Sequence, residues 1–442
     1  MVCVPCRSVT CTPRWKPPIC GIWWRSARCM PNSVRTWRLT LPSTVMRTNR
    51  LFRTIQVDGM TLPCPPVREM LDALVGVDTT SSGSNLAAVD LVESWLESVP
   101  GIRRQRIFDP TGEKANLIAW AGPEVDSTRE GLIVSGHLDC VPVEAQGWTD
   151  DPFVVREQSG RLYGRGVCDM KGFDAIAINA FAQVAPHATR PLVLMLSYDE
   201  EVGSHGIAQM AEQLAPSALP QEALIGEPTS GQIVPLHKGH LRFTLTSRGK
   251  NAHTAFPQDG LNAIEPLAEA AVRLAGLRRE FELEGGPNAD RFPEAPFLVL
   301  TVALIEGGSA INVVPDAASL GVGIRLLPGV DPVAVESRVR EHLSTLLGEN
   351  LWMSRDALSP PMPEHPQMHL RKVLLDMHVP LAPNGAPFGT DGGMLFEKLG
   401  VKSLLWGPGS IQNAHQPDEW VEVRDLAQAE LELPRLLGRL VG

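Results

Sequence analysis

Five short stretches carry the residues able to do chemistry. They are SGHLD with His137 and Asp139, GRGVCDMKG with Asp169, MLSYDEEVGSHG with Glu200 and Glu201, LIGEPTS with Glu227, and GPGSIQNAHQPDEWVE with His415 and Asp418. Adjacent acids at 199–201 repel one another, and removing them from water is costly unless a proton or cation compensates. Imidazole and carboxylate donors of this kind suit Zn²⁺ or a similar transition ion. The carboxylates outnumber what one ion needs, whereas two ions sharing a bridging carboxylate would neutralise the cluster. Such a pair can polarise an amide carbonyl, supply hydroxide and steady a hydrolytic oxyanion. A carboxylate left unligated can then carry a proton from water to the departing amine. Taken singly, each stretch has a plainer reading. An H-x-D is a surface turn, an EE pair is solvated helix surface, Asp169 is an N-cap, and Glu227 ends a strand. Their joint placement at strand ends or helix starts of one domain favours the metal centre.

The elements that must position them are legible as periodicity. Val67, Met70, Leu71, Leu74 and Val75 fall at helical spacing, and Val89, Val92 and Leu96 mark a second helix. Short apolar strands then alternate with helices: strands at 116–121, 132–134, 192–198 and 223–225, and helices near 173–184 and 207–214. This is an α/β pattern with a largely parallel sheet, and open sheets of that kind put ligands at the carboxyl ends of their strands. From His237 the rhythm changes. Leu241, Phe243 and Leu245 alternate, a helix follows from Ile264, then strands near 297–305 and 320–326 and a helix from Val335. That order reads as an inserted ferredoxin-like unit. After about Pro360 the first pattern resumes, with a helix near 368–377, a strand at 403–406 and a final helix from Arg424. The expected domains are therefore 60–236 with 356–442, discontinuous and catalytic, and 237–355, inserted.

At 442 residues with 43% hydrophobic and 20% charged content, the chain is of the globular class and long enough for two domains. Its net charge of −10 argues against general nucleic-acid binding, and no apolar run approaches a membrane span. Residues 1–59 differ from the rest: they are arginine-rich, Asp58 is their only acid, and they hold Cys3, Cys6, Cys11, Cys20 and Cys29. They show no sustained period, so they read as a leader outside the working fold, with Met60 the better beginning. Cys64, Cys140 and Cys168 form no disulfide framework, which fits a reducing, cytoplasmic setting.

SGHLDCVPV, GRLYGRGVCDMKGF, YDEEVGSHG, LIGEPTS and GPGSIQNAHQPDEWVE together resemble the ordered motifs of the zinc-dependent amidohydrolases and peptidases. That family includes acetylornithine deacetylase, succinyl-diaminopimelate desuccinylase, aminoacylase and glutamate carboxypeptidase. The resemblance runs from about residue 66 to the C-terminus; IGEPTS, HKGH and GPGS with AHQPDE are most similar to the acetylornithine deacetylase branch. It implies two divalent ions, Zn²⁺ with Co²⁺ able to substitute. His137, Asp169 and Glu227 would hold one, and Asp169 would bridge to a second held by Glu201 and His415. Glu200 would be general base and acid, and Asp139 would orient His137.

The inserted domain would be a lid and dimerisation module of a homodimer, with His253 in GKNAHTAFPQDG acting as oxyanion donor across the interface. Asn312 and Arg325 would bind substrate, Arg325 clamping an α-carboxylate, although Gly323 stands where the family has Asp. Gly389 and Thr390 in GTDGG would face substrate. The remaining histidines carry no metal role; His205 reads as local structure, and His240 is a candidate substrate contact. The implied substrate is an N-acyl amino acid, N-acetylornithine first, cleaved to ornithine and acetate in arginine biosynthesis. Desuccinylase, aminoacylase or carboxypeptidase activity are the alternatives on the same site. A non-catalytic binding protein on this fold would have lost a ligand or the base, and here all are intact.

Overall fold

The structure, a computed structural model, describes residues 64–442 apart from Ala145, together with the backbone of two paired strands, Gln56–Val57 and Met60–Thr61. The reading of residues 1–59 as a leader otherwise lies outside the described residues.

A six-stranded sheet forms the centre, in the order Lys402–Leu405, Glu222–Ile225, Leu132–His137, Leu192–Ser197, Ala115–Ala121, Arg103–Phe108. The first four run parallel, and the last two join antiparallel at one edge. Leu132–His137 and Leu192–Ser197 are buried at every position, as central strands covered on both faces must be. Alternate residues divide between the two faces. Leu132, Val134, Leu192, Leu194 and Leu224 pack on one side with the helices Val67–Val75, Leu86–Leu96, Lys171–Val184 and Val423–Val441. Ile133, Val193, Met195 and Ile225 pack on the other with His205–Gln213 and Asp391–Leu399. The mixed α/β sandwich with a mostly parallel sheet is thus the architecture read from the periodicity.

A second, four-stranded sheet is antiparallel throughout, in the order Val299–Gly307, Ala317–Leu326, Gly239–Arg248, Leu351–Ser359. Helices Ile264–Glu284 and Pro332–His342 connect its strands in β-α-β-β-α-β order, the ferredoxin-like sequence of elements. Leu241, Phe243, Leu245, Leu320 and Ile324 share one core with Leu267, Leu274, Phe281 and Val339 of the helices. The opposite face of the same strands carries His240, Arg242 and Arg325, partly buried. This face looks toward the end of the central sheet: Arg242 donates to the Val202 carbonyl just after Glu201.

Two strands of these sheets escape the periodicity. Arg103–Phe108 reads RRQRIF, a charged edge strand of the kind that discourages further pairing; Arg104 and Arg106 are partly buried against Asp90 and Glu93 of the helix Leu86–Leu96. Leu351–Ser359 carries a bulge at Asp356, opposite the step from Arg242 to Phe243, and this breaks its alternation. It also runs past residue 355, where the sequence placed the end of the inserted domain.

Candidate metal centre

Strand ends deliver the site. His137 is the last residue of Leu132–His137, Glu200 and Glu201 follow Leu192–Ser197, and Glu227 follows Glu222–Ile225. Asp169 precedes the helix Lys171–Val184, and the Asp169–Met170 peptide is cis. His415 comes from the loop after Lys402–Leu405, with a left-handed φ of 60°, a conformation of the kind found where surroundings over-determine the backbone.

Asp169 stands between two imidazoles. Its Oδ1 is 3.1 Å from His137 Nε2 and its Oδ2 is 3.2 Å from His415 Nε2. Glu201 Oε1 lies 2.9 Å from the same His415 nitrogen. Donor atoms of His137, Asp169 and Glu201 all fall within 4.8 Å of one another. His137 Nδ1 donates to the Asp139 backbone carbonyl at 3.0 Å, which fixes the tautomer and leaves Nε2 able to ligate a metal ion. The Asp139 carboxylate is farther from that ring, at 3.5 Å. It accepts instead from Ser81 Oγ at 2.7 Å and from the amides of Glu200 and Glu201 at 3.1 and 3.3 Å. Asp139 therefore holds the glutamate pair as well as His137.

The charge state of these groups is that of a cation site. Burial, reinforced by neighbouring acids, pushes Glu200 and Glu227 well above the usual carboxylate range and Glu201 to about 7. Burial opposes a proton on His415, yet Asp169 and Glu201 beside it hold it up to about 10. A divalent cation in their midst reverses this logic, keeping the carboxylates ionised and the imidazoles neutral. The donor set, nitrogen and oxygen only, fits a transition ion.

The other sequence-assigned residues lie elsewhere or do different work. His253 is exposed at the end of the strand Ala252–His253, and Asn312 is exposed in the turn before its partner strand Val313–Val314. There the Asn312 carbonyl accepts from the Thr254 amide at 3.1 Å, and His253 Nδ1 accepts from the Ala255 amide at 3.0 Å. Among the described residues, no hydrogen bond or ion pair joins either one to the carboxylate cluster. Arg325 is partly buried on the second sheet; burial and the Arg242 charge lower its pKa, and Glu200 opposes them. Gly323 has a local reason: a Cβ there would meet His240 Nε2 at 2.8 Å, so the His240 ring fills the space of a side chain.

Gly389 lies against the Lys238 carbonyl. Thr390 is buried, and its Oγ1 caps the following helix by accepting from the Gly392 amide at 3.1 Å. Its side chain thus helps to start that helix. His205 begins its helix, as expected of local structure.

Several contributors were missed. Lys114 Nζ bonds both oxygens of Asp199, at 2.6 and 2.8 Å, and the Ser81 carbonyl at 2.5 Å. Asp391 is buried and accepts from Ser197 Oγ at 2.6 Å; burial lifts its pKa to about 6. Arg165 and Glu419 form a buried ion pair at 2.7 Å. Only the GTDGG and HQPDE motifs hinted at Asp391 and Glu419. The partners of Lys114 and Ser81 are too distant in sequence to read.

With this geometry the molecule falls into the class of metal-dependent hydrolases. Residues 133–437 match the model of peptidase family M20/M25/M40, and the chain belongs to that family. An acetylornithine deacetylase from Myxococcus xanthus is 35% identical over 396 residues, spanning 86% of this chain and 98% of that protein. One from Proteus mirabilis (strain HI4320) is 33% identical over 377 residues, spanning 84% and 92%. Among solved structures, the M20 family metallo-carboxypeptidase Sso-CP2 from Sulfolobus solfataricus superposes with a TM-score of 0.68 at 20% identity, covering 84% of this chain and 98% of that one. The Bacillus subtilis YXEP protein, described as a dinuclear metal-binding peptidase, has a TM-score of 0.60 at 16% identity, covering 85% and 97%. These two likenesses concern the fold alone. Among the described residues, no helix is long and apolar enough to cross a membrane.

Proposed function

We propose that the chain hydrolyses the amide bond of an N-acyl amino acid, N-acetylornithine to ornithine and acetate first among them. The observation that carries this is Asp169 held between His137 and His415 with Glu200 alongside, its carboxylate taking no hydrogen bond among the described residues. His137, Asp169 and Glu227 would hold one divalent ion, and Asp169, Glu201 and His415 a second; Zn²⁺ suits these donors and Co²⁺ can substitute. When bound, the ions polarise the amide carbonyl and lower the pKa of water. Glu200, ionised beside the bound cations, takes the proton of the attacking water and hands it to the leaving amine. Arg325, on the second sheet and close enough for its charge to be felt by Glu200, receives the α-carboxylate.

The second sheet with its helices, about residues 237–359, acts as the lid and as the dimer contact, bringing His253 to the partner's site. Relatives at about a third identity named acetylornithine deacetylase support the choice of substrate, and the setting is cytoplasmic. A panel of N-acetylornithine, N-succinyl-diaminopimelate and acyl-glutamates tests it: kcat/KM is expected to be highest for N-acetylornithine. Turnover of that substrate no faster than of the others would overturn the assignment while leaving the hydrolase class intact.

A further inference from the structure

Two charged residues in the site motifs are left unused by the hydrolytic reading: Arg165 in GRGVCDMKG and Glu419 in AHQPDEW. Each side chain is only 1% exposed. Glu419 Oε2 accepts from Arg165 Nη1 at 2.7 Å and from the Gly166 amide at 3.1 Å. Its Oε1 accepts from the amides of Cys168 and Asp169 at 2.9 and 3.0 Å. Arg165 Nη2 in turn donates to Gln146 Oε1 at 2.6 Å and lies 3.5 Å from the Pro142 carbonyl. Its guanidinium sits over the Trp148 ring at 4.9 Å.

The pair thus touches all three loops that carry the two histidines and the acid between them. Pro142 and Gln146 lie in the loop after His137, Asp169 is bonded through its own amide, and Glu419 closely follows His415. Stability alone is a poor account of such a pair. A buried ion pair is often no more stabilising than apolar residues of similar volume, because desolvation offsets the attraction. What the apolar replacement could not do is accept three amide donors from one strip of backbone.

We propose that Glu419, held by Arg165, is a positioning residue for the metal centre: it sets the 166–169 backbone so that the two oxygens of Asp169 reach His137 and His415 together. The inference rests on the two-ion reading of the site. Without Glu419 the amides of Gly166, Cys168 and Asp169 lose their shared acceptor, and the loop is free to turn Asp169 away from one imidazole. Groups bonded in this indirect way to metal ligands characteristically change metal affinity about 10–100-fold when replaced.

The test is a Co²⁺ titration of metal-free protein, followed by visible absorption and calorimetry, for wild type, Glu419→Gln, Glu419→Asp and Leu433→Ala. Leu433 is fully buried in the C-terminal helix and controls for lost stability. Each variant is first shown to unfold in a cooperative thermal transition. Wild type is expected to take two ions. Both Glu419 variants are expected to lose about 10–100-fold in Co²⁺ affinity, with KM little changed at saturating metal, while Leu433→Ala binds as wild type does. If Glu419→Gln does not fold, Glu419→Asp, which keeps Arg165 paired with a charge, decides by the same titration. Glu419 variants that bind Co²⁺ like wild type, or a Leu433→Ala variant that loses as much affinity as they do, would overturn the proposal. Wild type taking fewer than two ions would instead overturn the two-ion reading beneath it.

Discussion

Each of the three adjacent acids at 199–201 has a different fate, and the differences follow from its partners. Asp199 is paired with Lys114 at 2.6 Å, away from the imidazoles. Glu201 is bonded to His415, and the Glu200 carboxylate takes no hydrogen bond among the described residues. What orders the latter two is Asp139, through their backbone amides. Asp139→Asn keeps the shape but weakens the acceptor for Ser81 and both amides. It is expected to lower metal affinity by about 10–100-fold, read in a Co²⁺ titration; unchanged affinity would mean that the loop holds itself. At this scale the candidate ligands were legible because His137, Glu201 and Glu227 stand at or just after the ends of apolar strands, Asp169 just before a helix, and His415 in the loop after a strand. Glu419, Lys114 and the hold of Asp139 on the glutamate amides were not, because that work depends on partners brought together only by folding, such as Ser81 with Asp139 and Arg165 with Glu419.

Among the elements, the junction between the two sheets has a titratable group of its own. His237 is fully buried where the chain leaves the central module; its backbone pairs with Met362, and its Nδ1 is bonded to the Lys238 carbonyl. Burial is the main cause that holds its pKa down to about 4. The unfolded chain takes up this proton near pH 6.5 and the folded chain only near 4, so the contribution is complete above about 6.5 and is lost as pH falls toward 4. The full loss is on the order of 3 kcal/mol. Unfolding measured across this range is expected to show a shallower pH dependence in His237→Gln than in wild type; equal slopes would place the acid sensitivity elsewhere. The strands flanking this junction show what alternation can and cannot convey. Gly239–Arg248 alternates without a break, and its buried face was readable from Leu241, Phe243 and Leu245. Leu351–Ser359 pairs with it across a bulge, so the same physics left no clean period to find.

For the whole molecule, the carboxyl ends of the parallel strands and the cationic face of the second sheet converge on one region. The acids and imidazoles come from the central sheet, and from the second sheet the Arg325 charge is felt by Glu200 while Arg242 donates to the Val202 carbonyl. The central claim is that Glu200 moves a proton at a centre that the other residues assemble without it. The most direct measurement compares metal content and N-acetylornithine hydrolysis in wild type and Glu200→Ala. The account predicts equal metal content and a fall in kcat of about 100- to 10,000-fold in the variant, with chelation abolishing wild-type activity. A Glu200→Ala protein that hydrolyses as fast as wild type would contradict it, as would a wild type that holds no metal and gains no activity from it.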